Sequence, residues 1–273
     1  MDHEGLAWEG SATSLQPAAA QHGLPVRAWG IGCALLAAAV VGGVLLVNSG
    51  GSAPSTPVSL AAYTSTQQLG YRFKLAVSAS ANGFNLAISG AGAINIRPSV
   101  SGSMSVSVLG RTVDEIFSGS SIYLQSGPAS WTRTTLPAYA QSSGLSQNPA
   151  STLDYLRAAG TVSDLGPDTV DGVATVRYQA LVDLNRLASL EPGGQNAQTI
   201  ATIEQATGSS TLPIDAWIDS SHLVRRLSLS LPITRDGVTI DESVTIDFLS
   251  YGAQAAPSPP PADEVTDASP PGA

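Results

Sequence analysis

The run Leu212-Pro213-Ile214-Asp215-Ala216-Trp217-Ile218-Asp219-Ser220-Ser221-His222-Leu223-Val224-Arg225-Arg226-Leu227 decides the fold. Leu212, Ile214, Ala216 and Ile218 alternate with less apolar neighbours, so they share one face of an extended strand. After the polar turn at Ser220-Ser221-His222, Leu223, Leu227, Leu229 and Leu231 fall on one face of a second strand. A period of two describes a sheet with one buried and one wet face.

The pattern extends in both directions from this hairpin. Downstream, Arg235-Asp236-Gly237 turns into a strand in which Val238, Ile240, Val244, Ile246 and Phe248 are in phase. Glu242 interrupts that apolar face, as a bulge, a rim position or a polar group inside a cavity. Upstream, Tyr71, Phe73, Leu75 and Val77 alternate with polar residues, and Phe84, Leu86 and Ile88 continue through Gly90-Ala91-Gly92 to Ile94 and Ile96. Val100, Met104, Val106 and Val108 alternate with serines. The stretches 114–117 and 121–125 read as shorter strands. Glycines 90, 92 and 102 allow long strands to bend.

The middle of the chain changes character. Residues 149–159 read as a short helix, with Ser151 as N-cap and Gly160 as its stop. Val170 to Asp183 returns to strand through the turn Asp171-Gly172. Stretches 184–190 and 195–207 read as helices separated by Pro192-Gly193-Gly194. Strands, helices, then strands predict an α+β domain: a curved antiparallel sheet covered on one face by a few short helices.

Ala28 to Val47 is a run of twenty residues without charge, preceded by Arg27. As a helix it spans about 30 Å, the thickness of a bilayer core. The favoured expectation is a retained signal anchor over 28–47 with residues 1–27 as a disordered cytoplasmic tail. A cleaved signal peptide and a lipoprotein signal are the alternatives, but Cys33 stands near the start of the apolar run rather than at its end. Residues 48–60 read as a Gly/Ser/Pro stalk, 61–255 as the extracytoplasmic domain and 256–273 as a Pro-rich, irregular tail.

Composition excludes several classes. Net charge is −9 and only 12% of residues are charged, so neither nucleic acid nor an anionic bilayer surface is an electrostatic partner. Cys33 is the single cysteine, which rules out an intrachain disulfide. Catalysis has little to work with. His222 is the one histidine after the apolar segment, and its place beside two serines reads as turn chemistry rather than a general base. Asp164, Asp168 and Asp171 read as loop carboxylates, with a calcium site as the remote alternative. Asp114-Glu115 and Asp241-Glu242 are strand neighbours pointing to opposite faces, so neither is a dyad. No catalytic residue, metal site or cofactor is expected, and the chain is not expected to be an enzyme.

Four segments resemble the LppX/LprG family of bacterial envelope lipoproteins, which has a LolA-like fold. They are Leu153 to Leu156, Val170 to Tyr178, Pro213 to Leu227, and Phe248-Leu249-Ser250-Tyr251-Gly252 with Pro259 to Asp263. The resemblance covers roughly Ala61 to Asp267 and implies a half-barrel around a hydrophobic cavity that binds acylated lipids. Related domains of this fold act as extracytoplasmic sensors that bind proteins.

The expected lining of such a cavity is Phe84, Leu86, Ile88, Met104, Val106, Val108, Leu227, Leu229, Val244 and Ile246. Trp131 and Trp217 either pack under a loop or helix or face a ligand or partner. Arg225 is expected at the rim, in a salt bridge or meeting a lipid head group. The expected function is membrane-anchored, extracytoplasmic binding or transport of a lipid or other hydrophobic ligand. The alternative is a non-enzymatic envelope sensor or interaction module with a filled cavity.

Overall fold

The computed structural model describes residues 55–268 except 98, 100, 129, 136–152, 154, 190–196 and 236. The expected tail 1–27 and anchor 28–47 lie outside the described residues. No helix among the described residues is long and apolar enough to cross a membrane.

Period-two alternation yields twelve strands in one sheet: β1 (Gly70–Ala81), β2 (Phe84–Asn95), β3 (Ser101–Val108), β4 (Arg111–Ser118), β5 (Ser121–Ser126), β6 (Trp131–Thr135), β7 (Ala159–Val170), β8 (Val173–Asp183), β9 (Thr211–Asp219), β10 (Val224–Arg235), β11 (Val238–Tyr251) and β12 (Val265–Asp267). Their order is β12-β6-β5-β4-β3-β2-β1-β11-β10-β9-β8-β7. A meander runs outward from β1 to β6. The chain then crosses to the far edge at β7 and returns strand by strand to β11, which closes the centre against β1. Pairing is antiparallel except between β12 and β6. The result is the expected α+β architecture: a curved open antiparallel sheet with few helices.

The helices are α1 (Pro57–Thr66), α2 (Leu184–Ser189) and α3 (Ala197–Thr207), with 3-10 turns at Leu156–Ala158 and Ala262–Glu264. All three helices and the first turn lie over β7–β10. Val58, Ala61 and Ala62 of α1 join Phe73, Ile214, Leu227, Ile246 and Phe248 of the sheet in one core. These side chains define the inner face of the sheet. Burying this continuous apolar surface is the main stabilising term, about 25 cal/mol per Å².

Four readings of the sequence are corrected. Residues 57–60 are not stalk but the first turn of α1: Pro57 takes the N1 position, and Thr56 and Ser59 cap each other reciprocally. Asp164 and Asp168 belong to strand β7, not a loop. Pro167 is tolerated because β7 is an edge strand, and a register shift between Asp164 and Gly166 absorbs the glycine. The expected helix at 149–159 is helical at Leu153 and Tyr155 within its described part, tightens to a 3-10 turn at Leu156–Ala158 and ends one residue early, because Ala159 already begins β7. The Pro-rich end is not irregular throughout. The Asn95 side chain clasps the Gln254 backbone from both sides, and β12 pairs with β6, reinforced by the two-pronged Arg133–Asp267 ion pair.

Candidate functional site

Register places all ten expected lining residues on the inner face. One rung runs Val113, Val106, Gly90, Leu75, Ile246, Leu227 and Ala216 across β4, β3, β2, β1, β11, β10 and β9. The next runs Val108, Ile88, Val77, Val244, Leu229 and Ile214. Met104 lies on the rung of Gly92, Phe73 and Phe248, Leu86 on that of Ala79 and Glu242, and Phe84 opposite Ala81.

Burial divides the ten. Leu86, Leu227, Leu229, Val244 and Ile246 are buried, four of them within the main core beneath the helices. Ile88, Met104, Val106 and Val108 are half-buried and Phe84 is exposed. The helices cover β7–β10, and the half-buried Ile88, Met104, Val106 and Val108 of β2 and β3 form an aliphatic half-trough beside a filled part that also takes in Ile94, Phe117 and Ile122. Small residues keep its floor low. At Gly90 a Cβ would come 3.3 Å from the Ser105 carbonyl, and at Gly92 it would come 2.6 Å from the Met104 Cβ.

Glu242 is neither a bulge nor a rim residue. Its pairing is unbroken, opposite Leu231 on β10 and Ala79 on β1, which puts its side chain on the inner face. It is 6% exposed, and among the described residues neither carboxyl oxygen has a hydrogen-bond partner. Burial pushes its pKa up to about 7. Glu115 is another inner-face carboxyl, opposite Met104 and Leu124.

The outer face is of another kind. Trp217, buried at 7% exposure, is not under a loop or helix and does not line the inner face, because its register partners are Arg177 and Arg226 on the outer side. The two guanidinium carbons lie 4.9 and 5.7 Å from its ring centroid, so cations shield it from water. Arg177 pairs with Asp215 and Arg226 with Asp247. The indole N–H donates to Asp168 at 2.7 Å, which with the Thr169 N–H holds that carboxyl below its usual range. A shallow outer groove of about 460 Å³ runs over Ala76, Ser89, Ala91 and Ser105 between Lys74 and Asp247. Small residues, alanines and serines, floor it.

Arg225 forms a 2.6 Å ion pair with Asp219 and lies 5.7 Å from the Tyr251 ring, where a register shift in β10 sets it apart from its neighbours. His222 occupies the turn with φ 57° and is exposed. Trp131 is half-buried on β6, and its carbonyl accepts from the Thr266 hydroxyl. Asp164 accepts from the Gly166 N–H, a local turn bond. Among the described residues no group of three His, Cys, Asp or Glu side chains could hold a metal ion.

Sequence reasoning missed the Trp217 stack and the clasp at Asn95. Trp217 standing out of phase is a visible signal for the first; the second has none.

No protein-family model and no curated protein matches this chain. Solved structures similar to it include the lipoprotein LppX of Mycobacterium tuberculosis, at 15% identity and a TM-score of 0.45 over 74% of this chain and 98% of that one. LprF from Mycobacterium bovis is 14% identical with a TM-score of 0.43, covering 76% of this chain and 99% of its own. The Pseudomonas aeruginosa MucA/MucB complex is 11% identical with a TM-score of 0.33, over 74% of this chain and 59% of that one. LppX gives its name to the family that the four sequence segments resemble.

Proposed function

We propose that this chain is a non-enzymatic, membrane-tethered protein of the cell envelope that holds a lipid or other acylated ligand against the inner face of its sheet. The observation that carries the reading is the aliphatic half-trough: Ile88, Met104, Val106 and Val108 share one face, half-buried, while the helices lie over the other half. Binding is driven by burial. At about 25 cal/mol per Å², one acyl chain laid along these rungs gains several kcal/mol. Aliphatic walls suit an extended chain and place no demand on a reactive group.

The uncharged run 28–47 behind Arg27 supports an anchor with the folded domain outside the cytoplasm. Residues 48–55 then precede the Thr56 cap, a tether that limits hand-over to short range.

A second reading, an interaction or sensing module with a filled cavity, draws on the burial of Leu86, Leu227, Leu229, Val244 and Ile246. Native mass spectrometry of the purified chain, before and after solvent extraction, separates the two. A mass excess that extraction removes and added diacyl lipid restores is the result expected. A bare mass with no uptake overturns the ligand reading and favours the module.

A further inference from the structure

The mechanism of burial gives the inner-face carboxyl of Glu242 no role. Glu242 stands in a wall otherwise made of Ala79, Leu86, Leu231 and Ile240. A carboxyl 6% exposed, with both oxygens unpartnered among the described residues, is costly to fold around. A leucine there would continue the apolar stripe of Val244, Ile246 and Phe248 at lower cost.

We infer that Glu242 is the polar anchor of the ligand site, hydrogen-bonding a neutral hydroxyl-bearing group of an amphiphile whose chain lies along the rungs of Ile88 and Val106. This rests on the ligand reading above and adds the class of its polar end.

A hydroxyl fits this carboxyl better than an ammonium group. Its inner-face neighbours on β1, β2 and β10 are Ala79, Leu86 and Leu231, so none of them supports a second charge. An ion pair there would bury two charges in an apolar wall, where desolvation offsets the Coulomb gain. A neutral carboxyl and a hydroxyl each donate and accept, and both are satisfied. Burial raises the carboxyl pKa toward neutrality, which keeps that form populated. Placement agrees. Glu242 lies one rung beyond Val77 and Ile88, with the rung of Phe84, Ala81, Ile240 and Ile233 beyond it, so a chain running from it along Ile88 and Val106 leaves its head at the carboxyl.

The test measures binding of two probes, 1-monooleoylglycerol and methyl oleate, to the full chain in mild detergent, for wild type, Glu242→Leu and Glu242→Gln. Both probes carry the same acyl chain, and only the first carries hydroxyls. Wild type is expected to prefer the monoacylglycerol at least tenfold. Glu242→Leu should lose that preference while binding methyl oleate as well or better, and Glu242→Gln, which keeps a donor and an acceptor, should retain most of it. Thermal melting of each variant confirms that it is folded. If wild type binds both probes and Glu242→Leu leaves their ratio unchanged, the anchor is overturned and the ligand reading stands. If wild type binds neither, the ligand reading fails and the anchor with it.

Discussion

Trp217 donates its indole N–H to the Asp168 carboxylate at 2.7 Å, joining β9 to β7 across the intervening β8 on the outer face. The ring between Arg177 and Arg226 makes this the place where the three strands beside the β7 edge are tied together by side chains. Trp217→Phe keeps a ring between the cations and removes the hydrogen bond. Asp168 should then titrate nearer its ordinary value, which NMR of the carboxyl group detects. The stability contributed by the depressed carboxyl pKa is present above its unfolded pKa and is lost as pH falls through the folded one. The melting temperature of Trp217→Phe should therefore converge on that of wild type in acid. Trp217→Ala should cost about 3 kcal/mol.

Val224 has both backbone polar groups answered from elsewhere in the chain. Its N–H donates to the Ser65 hydroxyl at 3.0 Å, and its carbonyl accepts from the Tyr251 hydroxyl at 2.6 Å. Burial raises the Tyr251 pKa, so the hydroxyl remains a donor across the physiological range. Ser65→Ala strands the N–H in a site where Ser65 is 1% exposed. Denaturant unfolding should show a loss of about 2 kcal/mol. A loss under about half a kcal/mol would mean that α1 does not dock through this bond.

Gly102 faces backbone at very short range. A Cβ there would lie nearest the Ala93 carbonyl oxygen and 2.7 Å from the Ile94 Cα, neither of which can rotate away. Gly102→Ala should force β3 away from β2 and cost about 2–3 kcal/mol. Gly90→Ala, where the nearest atom is at 3.3 Å, should cost markedly less in the same melting experiment.

Glu242 predicts an unusual pH profile. Its pKa is about 7 in the folded chain, against 4.5 for a glutamate free in water. Between those values the unfolded chain has released the proton that the folded chain keeps, so stability falls as pH rises through this window. The contribution is fully present below about pH 4.5 and gone above about pH 7. Relative to Glu242→Gln, wild type should lose on the order of 3 kcal/mol across it. A flat difference between the two proteins would place the carboxyl in water.

The two halves of the inner face should respond differently to truncation. Leu227, 2% exposed in the core, should cost about 3 kcal/mol as alanine. Val106 is half-buried, and its truncation should cost about 1 kcal/mol or less while weakening ligand retention.

Much of the fold is legible in the sequence because a buried strand face repeats every second residue. Ile214, Leu227, Ile246 and Phe248 announce the inner face by phase alone, and register then aligns them. Pairing partners are another matter. Phase shows that Trp217 breaks the stripe, but Arg177 and Asp168 reach it through register with strands far away in the chain. Pro57 reads as stalk because proline suits both a linker and the first turn of a helix, and the Thr56–Ser59 cap is weak sequence evidence. Asp164 to Asp168 reads as loop because glycine and proline punctuate it, yet an edge strand tolerates both. The division of the ten lining residues into buried and half-buried is illegible, since all ten have the same phase and what packs over each is set by the fold: the main core for four of the buried ones, a separate cluster with Ala79 for Leu86.

The most direct test of ligand binding on the inner face is photocrosslinking with a fatty acyl ester that carries a diazirine on its chain, followed by peptide mapping. Labels confined to inner-face positions of β2 and β3, at Ile88, Met104, Val106 and Val108, are the predicted result. Labels on the outer face at Ser89, Ala91 or Ser105, or no label above a scrambled-probe control, would contradict it.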